Sequence, residues 1–154
     1  MPSASARKQG DRETAPVRAV VDPNVLVSAA IAAGPPRRVL EAWHAGRFEM
    51  LVSYDLLYEL EAVLLRDRFR SKLTVSDVLE YVLWIREGAT LAEVPESLEV
   101  EISPDPDDDY LWALAVSHEH ASLVSGDSHL LGLVGGPVSV VSPREFMEAL
   151  EADR

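Results

Sequence analysis

Five short apolar runs, separated by longer segments with helical spacing, constrain this chain more than any other feature. They are VRAVVD (Val17 to Asp22), FEMLVS (Phe48 to Ser53), TLAEV from Thr90, ASLVSGD from Ala121 and GPVSVVS from Gly136. Short runs rich in β-branched residues, bounded by turn residues, read as buried strands. Between them lie segments of different period. GPPRRVLEAWHAGRF carries Val39, Leu40 and Trp43 on one helical face, and YDLLYELEAVLLRDRF carries Leu56, Leu57, Leu60, Val63 and Leu64, with Ser53 as its N-cap. A further helix opens at TVSD, where Thr74 and Asp77 have capping-box spacing. Its apolar positions are Val75, Val78, Leu79, Val82 and Leu83, and Gly88 reads as its stop. Another helix is expected from the aspartate run to about His120, and PREFMEALEA closes the chain with Pro143 in its first turn. Strands alternating with helices predict an α/β fold whose parallel sheet is covered on both faces. Ligands in such folds gather beyond the carboxyl ends of the strands.

The 154 residues suit one domain with a real core. Residues 1–16 are polar, without the apolar centre of a signal peptide, and are expected to be a disordered arm before a domain spanning 17–154. No apolar run is long enough to cross a bilayer. The absence of cysteine rules out disulfides and thiolate metal sites, and it fits a reducing cytoplasm. A net charge of −12 argues against gripping nucleic acid through bulk charge. It leaves open an enzyme that holds metal ions in an acidic site and phosphates on a local basic strip.

The acids take positions in this order of elements. Asp22 closes the first strand and Asp127 follows the fourth, so both point to the same sheet edge, and Asp108 lies at a helix start that can face it. Glu59 borders the apolar stripe of its helix. Each has a plainer reading. DPN is good turn chemistry around Asp22, Glu59 alone is a solvated helix acid, and Asp127 alone is a turn or cap. Asp105 as N-cap, Pro106 as first helical residue and acids in the first turn suit a helix start. Yet four aspartates in DPDDD exceed what capping requires. Carboxylates brought together raise one another's pKa, and a hard divalent cation such as Mg²⁺ or Mn²⁺ removes that penalty.

The pieces VVDPNVLVSA, SYDLLYELEAVLLRDRFR, DPDDDYLWALA, LVSGDSHLL and VSPREFMEAL, in that order from Arg18 to Leu150, resemble PIN-domain ribonucleases, and among them the toxins of toxin–antitoxin pairs. The resemblance implies a three-layer α/β/α sandwich around a five-stranded parallel sheet. It implies Mg²⁺- or Mn²⁺-dependent cleavage of single-stranded RNA, and it assigns metal-binding and catalytic roles to Asp22, Glu59, Asp108 and Asp127. Asn24 and Ser125, the latter standing where relatives often have threonine, take supporting roles, with Asp109 behind the metal-binding acids. A homodimer and a cognate antitoxin are further expectations from the resemblance.

Arg66, Arg68 and Arg70, with Lys72, form a basic strip that reads either as a helix C-terminal counterweight or as an RNA contact. Arg37 and Arg38 read likewise, as RNA contacts or as a solvated face. His118 and His120 stand two apart and point to different helix faces, which argues against zinc. Two other function classes compete. An aspartate-based phosphoryl-transfer domain would want a lysine after a late strand, and only Lys8 and Lys72 exist. A non-catalytic PIN-like binding module would not need all four acids.

Overall fold

The computed structural model describes residues 17–94, 109–118, 120–132 and 138–153. The five apolar runs form strands β1 (Arg18–Val21), β2 (Glu49–Val52), β3 (Thr90–Leu91), β4 (Ala121–Val124) and β5 (Ser139–Val141). All pair in parallel, in the order β3-β2-β1-β4-β5. The helices are α1 (Pro23–Ile31), α2 (Pro35–His44), α3 (Tyr54–Leu64), α4 (Val75–Gly88), α5 (Asp109–Val116), α6 (Ser128–Leu131) and α7 (Pro143–Ala152). A 3₁₀ turn, Asp67–Phe69, follows α3. The result is a three-layer α/β/α sandwich around a five-stranded parallel sheet.

The central strands are buried on both faces. Ala19, Val20 and Val21 of β1, Met50, Leu51 and Val52 of β2, and Leu123 and Val124 of β4 are all inaccessible or nearly so. That explains why these runs are continuously apolar instead of alternating. Each fully buried aliphatic side chain contributes about 1.5–3 kcal/mol. The strand order doubles back at β1, so the chain leaves β1 and β4, which lie side by side, toward opposite wings of the sheet. The gap between the carboxyl ends of two such strands is where open α/β sheets place ligands.

Three local expectations need correction. The stretch after Asp22 is a helix, α1, not merely a turn: Pro23 occupies a first-turn position and Val25, Leu26, Val27 and Ala29 are buried. Along α4, Val78 is buried together with Ile85, whereas Val75, Leu79 and Leu83 are about half exposed. The inward face of α4 also carries Tyr81, whose hydroxyl donates to Leu26 O at 2.8 Å and so ties α4 to α1. The helix after the aspartate run ends at Val116, short of His120. The His118 ring nitrogen Nδ1 lies 2.9 Å from Leu114 O, where it closes the helix end. The expected capping box at α4 and the expected N-cap at Ser53 both form, and Ser142 with Glu145 makes a second box at α7.

Among the described residues, no helix is long and apolar enough to cross a membrane.

Candidate functional site

The ends of β1 and β4 are joined through one carboxylate. Val21 is in register with Val124, and the Asp22 N–H donates to Val124 O at 2.9 Å, which extends the ladder by one residue. Asp22 then becomes the N-cap of α1. Its Oδ1 accepts from the Asn24 N–H at 2.9 Å, and its carbonyl accepts from Val25 N. Its second oxygen, Oδ2, accepts from the Ser125 hydroxyl at 2.8 Å, and that hydroxyl oxygen in turn accepts the Asp127 N–H at 3.0 Å. Ser125 is fully buried and its own N–H donates to Val141 O of β5. The hydroxyl in SGD thus fixes the strand-one acid and the strand-four loop against each other. A small hydroxyl residue suits this place because its oxygen donates and accepts at once.

Asp22 is 3% exposed, the most buried acid among the described residues. Burial pushes its carboxyl pKa above the ordinary value; the bonds from Asn24 and Ser125 pull it down, and the nearby Asp127 pushes it up again. Asp22 and Asp127 both line an open cleft of about 350 Å³ together with Asn24, Val25, Ser28, Pro36, Gly126 and Pro143. A Cβ added to Gly126 would meet no protein atom within 4 Å, so the backbone there faces open space. The anionic oxygen donors suit a hard divalent cation, and a buried carboxylate beside a second one is the situation such a cation relieves.

The other expected acids lie differently. Glu59 is half-buried on α3, and its Oε2 accepts a hydrogen bond from the Tyr110 hydroxyl in the first described turn of α5. Glu59 is not among the residues lining the Asp22 cleft. Asp108, with Asp105 and Pro106 of the expected cap and Asp107, falls outside the described residues, and Asp109 is the first described residue of α5. Leu111 through Ala115 are all buried, so this stretch of α5 is covered all round. Among the described residues, no three acids or histidines stand close enough together to hold a metal ion.

The arginines divide. Arg37 Nε donates to Ala29 O at 3.0 Å, at the C-terminal part of α1. Arg70 donates to the carbonyls of Leu73, Leu64 and Arg66, so it caps the end of α3. Arg38, Arg66 and Arg68 are exposed, the last lying over the Phe69 ring at 4.7 Å.

Four residues at or near these acids were not read as site residues in the sequence: Ser28, Pro36, Pro143 and Tyr110. Ser28 is four residues after Asn24, and both are exposed on the cleft side of α1. That spacing becomes visible only once the segment is taken as a helix. Pro36 and Pro143 open α2 and α7, and their role in lining the cleft has no local signal. Tyr110 sits beside the aspartate run, but its partner is 51 positions away.

The comparisons agree with this architecture. A crystal structure of PAE2754 from Pyrobaculum aerophilum superposes with a TM-score of 0.54 at 15% identity, covering 88% of this chain and 90% of that one. At that identity it speaks for the fold alone. No curated protein matches the chain. The family model of the PIN domain matches residues 18–129, from the first residue of β1 to just past the acid that follows β4, and so the chain belongs to the PIN domain family.

Proposed function

We propose that the protein is a metal-dependent endoribonuclease acting on single-stranded RNA, and that it serves as the toxin of a toxin–antitoxin pair. One observation carries the nuclease reading: Asp22, buried and desolvated at the β1–β4 switch point, opens beside Asp127 onto a cleft. A carboxylate there is costly to keep charged unless it has a cationic ligand. Asp22, Glu59, Asp108 and Asp127 are the residues to hold Mg²⁺ or Mn²⁺. A bound cation would supply charge neutralisation at a phosphate and an activated water.

The chain's own residues do the rest. Ser125 and the Asn24 N–H aim the two Asp22 oxygens, and Ser125 also holds the backbone at Asp127. Asn24 and Ser28 offer polar groups at the cleft wall, and Val25, Pro36 and Pro143 offer apolar contact. Exposed Arg38, Arg66 and Arg68 are among the cations available to phosphates. The half-exposed stripe of Val75, Leu79 and Leu83 on α4 supports self-association into a homodimer, which light scattering on wild type and Leu79→Glu would test.

The deciding experiment is purified protein against end-labelled RNA with Mg²⁺, Mn²⁺ or excess chelator. The expected result is cleavage with either metal, none with chelator, and products bearing 5′-phosphate and 3′-hydroxyl ends. Equal cleavage in chelator, or 2′,3′-cyclic phosphate ends, would remove the reading. RNA binding without cleavage in any metal would favour a non-catalytic binding module. For the toxin role, induced wild-type protein should arrest growth while Asp22→Asn should not.

A further inference from the structure

Glu59 is a half-buried carboxylate on a helix side, and a glutamate there has several rotamers open to it. It is held all the same. The Tyr110 hydroxyl donates to Oε2 across 51 residues of sequence, from the first described turn of α5. One hydroxyl therefore joins α3, which carries Glu59, to the first described turn of α5. Its ring is half-buried against the core, and α5 itself packs on β1, β2 and β4, which gives the hydroxyl a rigid base.

A carboxylate accepts at both oxygens, so a hydroxyl on Oε2 leaves capacity for a cation. Hydrogen bonds of this kind orient metal ligands, and their loss typically lowers metal affinity by about 10–100-fold. We propose that Tyr110 is a positioning residue that fixes the Glu59 carboxylate for divalent-cation binding. The inference rests on the metal-site reading above.

The test is Mn²⁺ binding to RNA-free protein, followed by electron paramagnetic resonance of the free ion. The variants are Tyr110→Phe, Glu59→Gln and the pair, with melting of the metal-free proteins measured alongside. Tyr110→Phe keeps the ring and its packing, so its metal-free melting should stay near wild type. Its Mn²⁺ affinity should fall by about 10–100-fold. In the Glu59→Gln background the same change should add little, because its target is gone. Wild-type affinity in Tyr110→Phe would overturn the inference and leave the metal site standing. So would an undiminished loss in the Glu59→Gln background, which would mean that Tyr110 acts through the fold. A wild-type protein that binds no Mn²⁺ would overturn the metal reading itself, and this inference with it.

Discussion

Asp22, Asp77 and Glu145 each sit at a helix start, and they live in opposite surroundings. Asp77 at α4 and Glu145 at α7 close capping boxes in the open, where hydrogen bonds to Thr74 and Ser142 hold their carboxyl pKa values below the ordinary range. Asp22 caps α1 in the same chemical sense, yet it is buried and its pKa is raised. The exposed pair are acids the fold profits from in their charged state. Asp22 is an acid whose charge works against the fold, despite two hydrogen bonds that favour it. A cap alone does not require that burial, since asparagine or serine caps as well. The contrast sets Asp22 apart from the two capping acids, as the proposed metal site would require.

The largest expected effect follows from Asp22. Asp22→Asn keeps an oxygen for the Asn24 N–H but removes the charge. RNA cleavage should fall by more than ~100-fold, beyond what loss of an orienting neighbour produces. In chelator the variant should melt higher than wild type, because the desolvation penalty is gone. Added Mn²⁺ should raise the wild-type melting temperature and leave the variant unmoved. Activity assays paired with melting curves measure both. A variant that melts lower in chelator and still cuts RNA would erase the contrast between Asp22 and the capping acids.

Next in size are the acids on α3 and at α5. Glu59→Gln and Asp108→Asn should each lose most activity with little change in melting, whereas Asp109→Asn should keep most of it. Single-turnover cleavage by the three variants decides the matter. Activity lost in Asp109→Asn and retained in Asp108→Asn would exchange the roles of the two neighbours.

The sequence made the sheet and most helices legible because strands buried on both faces and amphipathic helices carry distinct periods. Val20 and Val21, or Leu56 and Leu60, could hardly serve elsewhere. The α1 helix was hidden by its own burial. Val25, Leu26, Val27 and Ala29 all face protein and only Asn24 and Ser28 face out, so the segment shows no polar face and DPN reads as a turn. The α4 helix failed the other way: aliphatic residues cover both faces, and nothing in Val75, Leu79 or Leu83 marks them as outward. Within the site, Asp22, Ser125 and Asp127 were legible because each follows a strand end. Ser28, Pro36 and Tyr110 were not, because what brings them to the acids is tertiary.

The basic strip offers a smaller effect and splits in two. Arg70 is occupied by three carbonyls, so Arg70→Gln should lower the melting temperature and leave RNA affinity nearly unchanged. Arg66 and Arg68 are exposed. Changing both to Gln should weaken RNA binding by a few fold, flatten its salt dependence, and leave melting alone. Binding titrations at several salt concentrations measure this. An unchanged salt slope in the double variant would return the whole strip to helix capping.

The smallest effect is the pH dependence of metal-free stability, and it tests the opening contrast most directly. Asp22 takes up a proton more readily folded than unfolded. Its contribution is therefore fully present below the unfolded value near 3.8 and is lost as pH rises through its raised folded value. Asp77 and Glu145 have the opposite sign. Their contribution is present above the ordinary values of 3.8 and 4.5 and is lost as pH falls through their lowered folded values. Melting curves in chelator from about pH 3 to about pH 8 should therefore show Asp22→Asn gaining on wild type as pH rises, then running parallel above the folded Asp22 pKa. Any change in cap bonding from the asparagine is independent of pH and drops out of the trend. Asp77→Asn should lose ground over the acid range and by less, because an exposed charge is screened by water and salt. An Asp22→Asn offset that stays constant with pH would mean the folded pKa is not raised. The buried acid at the strand ends would then differ from the exposed caps in position alone.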